Sequence, residues 1–309
     1  MIEPAAAPLP DPADVDPVVV ARPEHFCEGP VLDGDGTLFV SSPPGGYVLK
    51  RRGGDWKIWT RARRANGHKI LPDGDHLLCH GDHVLRLDAE GKLLGAAASG
   101  WVEGEGAGAP GHRIRWPNDI TLDGDGGFYF TESIREEGAV IHVDAAGSAR
   151  VVARDIDFAN GLALTPDGRR LLVAESYRNR ILVVCLDAPG VPAGPPTPFA
   201  NLPSHPDPEG TAVPDGAAFD AAGRLWVGPL RDAGPACPGG GWHAAGHLRL
   251  WHPADEQSVL RGGFDLRHRR RRHSGSGAAD APGRRRARRL TRRGRRSCCR
   301  REPGTCAGP

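Results

Sequence analysis

The chain has 309 residues and a formal net charge of +2, but that charge is segregated. Residues 267–309 carry 16 Arg against Asp280 and Glu302, which leaves −12 on the first 266 residues. An acidic body in a chain that is 39% hydrophobic can bury a core, so disorder throughout is excluded, and no run approaches the ~20 apolar residues of a membrane helix.

Residues 1–16 read as a flexible N-terminus. Met1-Ile2-Glu3-Pro4 opens it without the basic and apolar regions of a secretory signal. Cys27, Cys79, Cys185 and Cys237 lie at unrelated spacings, as free thiols do in a reducing compartment. A cytoplasmic protein with no membrane partner is expected. Oligomeric state is not legible.

In chain order, a Gly-containing turn followed by an apolar strand recurs at 33–40, 72–79, 123–130, 166–173 and 220–227. The last turn glycines are Gly36, Gly74, Gly126, Gly168 and Gly223, spaced by 38, 52, 42 and 55 residues. Asp-Gly between apolar runs is a strong hairpin signal, because these residues tolerate the positive φ of the turn. A second strand follows in several units, at 84–91, 140–147 and 180–187. Uneven periods of several strands, with no helical stripe, predict an all-β fold, a six-bladed β-propeller spanning 17–267.

The sixth unit should begin near Gly262-Gly263-Phe264, but its next strand is replaced by His268-Arg269-Arg270-Arg271-Arg272-His273. The last blade therefore reads as incomplete, and 268–309 as a disordered basic tail. Three origins stand open: a native solvated tail, a nucleic-acid-binding arm, and a reading-frame slip near Arg267. The arm is disfavoured, because the tail lacks interleaved aromatics and the acidic body repels phosphate, so no nucleic-acid partner is expected. The slip is favoured, since arginine and histidine codons read one base later give strand-forming residues. A truncated last sheet, even with Pro17-Val18-Val19-Val20-Ala21 closing it, leaves unpaired edges, so the chain as written is expected to be unstable or inactive.

Four polar residues precede their turn glycines by the same eight positions: Glu28, Asn118, Asn160 and Asp215. Equal offsets in equivalent blades place them at one height around the axis. Two carboxylates and two amide oxygens suit a hard divalent cation. Read alone, Asn160-Gly161 and Asp215-Gly216 are equally compatible with plain turns, and Glu28 with a solvated edge. His80 follows a strand of the second unit and is a candidate substrate contact. His68, His76, His80 and His83 form no zinc pattern and read as ordinary hairpin polar residues. Residues 104–108 read as a rim loop, not a dinucleotide fingerprint. Glu132 reads either as facing the channel mouth or as the end of its strand, the latter slightly favoured.

The chain from about 18 to 267 resembles the SMP-30/gluconolactonase/luciferin-regenerating family of six-bladed propellers. The resemblance rests on Glu28-Gly29-Pro30, Pro117-Asn118-Asp119 followed by Phe128-Tyr129-Phe130-Thr131, Asn160-Gly161-Leu162-Ala163, Pro214-Asp215-Gly216 followed by Leu225-Trp226-Val227, and the stretch from Gly262 to Arg267. It implies Glu28, Asn160 and Asp215 as ligands of one divalent ion, Ca²⁺ foremost with Zn²⁺, Mn²⁺ or Mg²⁺ as alternatives. It further implies Asp215 as general base and Asn118 as a substrate contact. Arg115 lies near a substrate-binding Arg of the family, one residue out of pattern. The implied activity is hydrolysis of a sugar-type lactone; another ester at the same metal, or a non-catalytic binding propeller, are the alternatives.

Overall fold

The structure, a computed structural model, describes residues 24–104, 110–202, 212–221 and 223–231. The strand expected at 17–21, the sixth unit and the basic tail lie outside the described residues, as does most of the loop expected at 104–108.

The described chain is all-β apart from one turn of 3-10 helix, Ser176–Arg178. The first antiparallel sheet holds β1 (Glu28–Leu32), β2 (Leu38–Ser42), β3 (Tyr47–Arg51) and β4 (Lys57–Arg61) in chain order. The second repeats it with β5 (His68–Ile70), β6 (His76–His80), β7 (His83–Leu87) and β8 (Leu93–Ser99). A short pair follows, β9 (Trp101–Val102) with β10 (His112–Arg113). The third sheet is β11 (Pro117–Leu122), β12 (Phe128–Glu132), β13 (Gly138–Val143) and β14 (Ala149–Ile156). The fourth contains β15 (Ala159–Leu164), β16 (Arg170–Glu175) and β17 (Arg180–Ala188), with both β18 (Val191–Pro192) and β19 (Thr197–Asn201) paired to β17. The fifth has two described strands, β20 (Ala212–Phe219) and β21 (Leu225–Arg231).

The turn chemistry is the one predicted. All five turn glycines have positive φ, from 70° at Gly168 to 92° at Gly126. In the turn before β2, Asp33 Oδ1 accepts the N–H groups of Asp35 at 2.9 Å and Thr37 at 2.7 Å. Asp123 repeats this in the third sheet, accepting from Asp125 and Gly127 at 2.8 Å each. An aspartate at the start of the turn thus fixes it before any strand pairing.

Packing between sheets shows why the strands read as continuous apolar runs. Successive residues point to opposite neighbours. Leu77 packs towards Phe128 and Phe130 of the third sheet, while Leu78 joins Phe39, Val48 and Trp59 of the first. In the fourth sheet Leu171 and Val173 meet Tyr129 and Val140 of the third, while Leu172 and Ala174 meet Leu225 and Val227 of the fifth. The second, third and fourth sheets are buried on both faces, as in stacked blades, and the inner strands β1, β5, β11, β15 and β20 contact one another in that order. The result is a propeller-like succession of five sheets joined through their inner strands. Among the described residues, no helix is long and apolar enough to cross a membrane.

Candidate axial metal site

Four of the five inner strands, β1, β11, β15 and β20, are interrupted where the sequence places the polar residue. The pairing register shifts between Glu28 and Val31, between Pro117 and Ile120, between Ala159 and Leu162, and between Pro214 and Ala217. A bulge bends a strand and re-aims one side chain, so these are the points where a residue leaves the regular alternation of the ladder. The glycine after the polar residue has its own cause. A Cβ on Gly161 would collide with the Asp215 carbonyl, and one on Gly29 would lie 2.6 Å from the Asn66 carbonyl. The inner strands pass so closely that no side chain fits between them.

Asn160 and Asp215 are joined directly. Asn160 is 2% exposed; its Nδ2 donates to Ser176 Oγ at 3.2 Å, and its amide also hydrogen-bonds the Asp215 carboxylate. Ser176 Oγ donates onward to the Pro214 carbonyl at 2.7 Å. With its nitrogen engaged, the oxygen of Asn160 is the end left without a hydrogen-bond assignment to Ser176. Burial, and then the charge of Asp119, raise the Asp215 carboxyl to about 6, against the lowering effect of Asn160. Burial, and then the charges of Asp215 and Asp119, push Glu28 up to about 8. Asp119 is a structural neighbour of this set: its carboxylate accepts the N–H of Ile120 at 2.8 Å and of Leu162 at 3.2 Å, tying β11 to β15. Burial raises it, opposed by Lys69 and by these two N–H groups.

These observations test whether a cation suits the site. Carboxylates buried against one another without a compensating positive partner are costly. Two of them beside an amide oxygen form a hard-oxygen donor set that fits a divalent ion. Among the described residues, no three His, Cys, Asp or Glu side chains are grouped to hold a metal, so amide oxygens must complete any such set.

The remaining candidates lie around this centre. Asn118 occupies the equivalent bulge of the third sheet, and its carbonyl accepts the Gly67 N–H at 2.7 Å. Arg115 points away from that set: its guanidinium pairs with Glu137 at 2.6 Å, in a pocket of about 370 Å³ lined by Trp101, His112, Arg113 and Arg154. His80 ends β6 beside Arg63, Asp82 and His83, and burial lowers its pKa.

Sequence reasoning passed over three features. Glu132 does more than end β12. Its fully buried carboxylate accepts the backbone N–H of Arg115 at 2.9 Å and of Trp116 at 3.2 Å, and so fixes the loop entering the Asn118 bulge. Glu175 does the same at the end of β16, accepting the Asp157 N–H at 2.9 Å and pairing with Arg180. The second feature is the histidine cluster: His68 and His76 are buried and share a 2.8 Å hydrogen bond against Phe39 and Trp59, so they are core residues and not hairpin surface. The third is Asn66, which stands eight residues before Gly74 and carries the same signal as the other four.

The comparisons with known proteins follow this geometry. The SMP-30/gluconolactonase/LRE-like region matches residues 26–234. A gluconolactonase of Zymomonas mobilis is 24% identical over 243 residues, covering 68% of this chain and 66% of that enzyme. Lactonase drp35 of Staphylococcus epidermidis is 33% identical over 116 residues, 36% of this chain and 34% of that protein. The chain thus spans just under two thirds of the first relative and about a third of the second. Among solved structures, the gluconolactonase XC5397 of Xanthomonas campestris superposes with a TM-score of 0.54 at 25% identity, over 66% of this chain and 70% of that one. A calcium-binding regucalcin of Agrobacterium tumefaciens does so with 0.53 at 20% identity, over 68% and 69%, a likeness of fold alone. With the family region spanning residues 26–234 and so all four inner-strand bulges, this chain belongs to the SMP-30/gluconolactonase/LRE-like family.

Proposed function

We propose that the chain is a lactone hydrolase that holds one divalent cation, Ca²⁺ foremost, on Glu28, Asn160 and Asp215, with Asp215 as general base and a sugar-type lactone as substrate. The observation that carries this reading is the pair of buried carboxylates, Glu28 and Asp215, set beside an Asn160 whose nitrogen is already committed. The gluconolactonase and lactonase relatives support the substrate class.

A bound divalent ion would supply Lewis acidity at the lactone carbonyl and neutralise the two carboxylates. The chain's own residues do the rest. Asp215 accepts a proton from water as the water oxygen bonds to the carbonyl carbon, and returns it to the ring oxygen as the ring C–O bond opens. Asn160 holds that carboxylate in place and, by hydrogen bonding, favours its ionised form. Asn118 contributes an amide for orienting the substrate. Arg115 and His80 are proposed rim contacts, and Arg115 would exchange its Glu137 partner for substrate.

A hydrolysis screen over aldonolactones, run on the chain and on a frame-restored version with and without chelator, tests the proposal. Chelator-sensitive hydrolysis lost in Asp215→Ala is expected. Activity that survives both chelator and Asp215→Ala overturns it.

A further inference from the structure

We propose that Asn66 is a fourth side-chain oxygen donor of the axial centre, beside Glu28, Asn160 and Asp215, lying between Glu28 and Asn118 in the arc of inner strands. The inference rests on the metal centre proposed above and extends it to the second blade.

Three independent relations place Asn66. It stands eight residues before its turn glycine, as the other four axial residues do. Glycine follows it, as after Glu28, Asn160 and Asp215, and for the steric cause seen at Gly29 and Gly161: a Cβ on Gly67 would collide with the Asn118 carbonyl and approach Asp119 Cα to 2.7 Å. Its backbone repeats the contact made by the others, since its carbonyl fills the space beside Gly29 of the preceding blade. The Asn66 N–H donates to the Cys79 carbonyl at 3.0 Å, and the Cys79 N–H donates to the Gly67 carbonyl at 2.9 Å, which pins the Asn66-Gly67 step against β6 from both sides. Asn66 is half-buried there, between the fully buried Ala65 and the buried Gly67.

The chemistry agrees with that position. Two carboxylates already balance a divalent charge, so further donors should be neutral, and an amide oxygen is. Asn66 with Glu28, Asn160 and Asp215 makes four oxygen-bearing side chains, which alone fill a tetrahedral Zn²⁺ site and, with bidentate carboxylates and substrate or water oxygens added, approach the six to eight oxygens Ca²⁺ takes. Asn66 should therefore weight the centre towards the larger ion.

The test is calorimetric titration of the metal-free full chain with Ca²⁺ and, separately, Mg²⁺, for wild type, Asn66→Ala, Asn66→Asp and Glu28→Ala. Asn66→Ala should weaken Ca²⁺ binding by about tenfold or more and Mg²⁺ binding by less, while Asn66→Asp retains or strengthens Ca²⁺ binding. If Glu28→Ala loses Ca²⁺ but Asn66→Ala and Asn66→Asp both bind as wild type, Asn66 is not a ligand and the proposal falls while the centre stands. If Glu28→Ala also binds as wild type, the centre itself is wrong. A purely structural Asn66 would lower the melting temperature of the metal-free chain in both Asn66 variants and leave the Ca²⁺ to Mg²⁺ affinity ratio unchanged, which also overturns the proposal.

Discussion

Asn160 is held through Ser176: the asparagine nitrogen donates to the serine hydroxyl at 3.2 Å, and that hydroxyl donates to the Pro214 carbonyl at 2.7 Å. One buried hydroxyl thus joins β15 to the strand carrying Asp215 and holds the nitrogen end of the amide. Ser176 is wholly buried, so removing the hydroxyl leaves two polar groups without it. Ser176→Ala should cost about 1–3 kcal/mol in urea unfolding, and should weaken divalent-ion binding because the Asn160 amide becomes free to rotate. Unchanged metal affinity would show that the asparagine is oriented by other means.

The raised carboxyls make the metal-free chain pH-sensitive in a defined direction. Glu28 sits at about 8 and Asp215 at about 6, each above its unfolded value of 4.5 and 3.8. A carboxyl raised by folding binds its proton more tightly in the native state. The stability this gives is complete below the unfolded value and is lost as pH rises through the folded one. Metal-free protein should therefore lose stability between about pH 4.5 and 8, and saturating Ca²⁺ should remove most of that slope. At pH 7, Ca²⁺ binding should release protons, seen as a heat that depends on buffer ionisation enthalpy. Uptake of protons, or none exchanged, would contradict the assignment.

Glu132 anchors the loop before Asn118 through two backbone N–H groups. In Glu132→Ala both are left buried or half-buried without their acceptor, at about 1–3 kcal/mol each. Glu132→Gln keeps an acceptor and should recover part of the loss. Denaturant midpoints of the two variants check this; equal midpoints for Ala and Gln would mean the carboxylate's contacts are not what holds the loop.

Close passage of the inner strands gives a steric prediction. Gly161→Ala drives a methyl into the Asp215 carbonyl and the Ala217 nitrogen, and should cost ~3 kcal/mol or more, since backbone on both sides must move. Gly95→Ala in β8 meets nothing within 4 Å and should stay within about 0.5 kcal/mol. Thermal melts of the two variants make the comparison.

The reading-frame interpretation of the basic tail is testable by itself. A version with the frame restored after Arg267 should give more soluble protein and more hydrolase activity than the chain as written. Equal yield and equal activity would favour a native tail.

Much of this was legible in sequence because turn chemistry is local. Asp33, Gly36 and their repeats mark each hairpin through the residue types a positive φ requires, and the four spacings reveal the units. The polar residues eight positions ahead of those glycines were legible for the same reason. What stayed hidden depends on contacts distant in sequence. Glu132 looks like any strand-terminal carboxylate until Arg115 and Trp116 fold over it, and His68 and His76 look like surface residues until Trp59 from the neighbouring sheet covers them. Asn66 is a different case, since its offset was readable, but its short strand β5 begins only at His68 and so draws no attention to the residues before it.

The most direct test of the account is anomalous diffraction from crystals of the full chain grown with Mn²⁺. The account predicts one anomalous peak on the axis, within about 2.0–2.6 Å of oxygens from Glu28, Asn160 and Asp215. A peak elsewhere, or none at these three side chains, would contradict it.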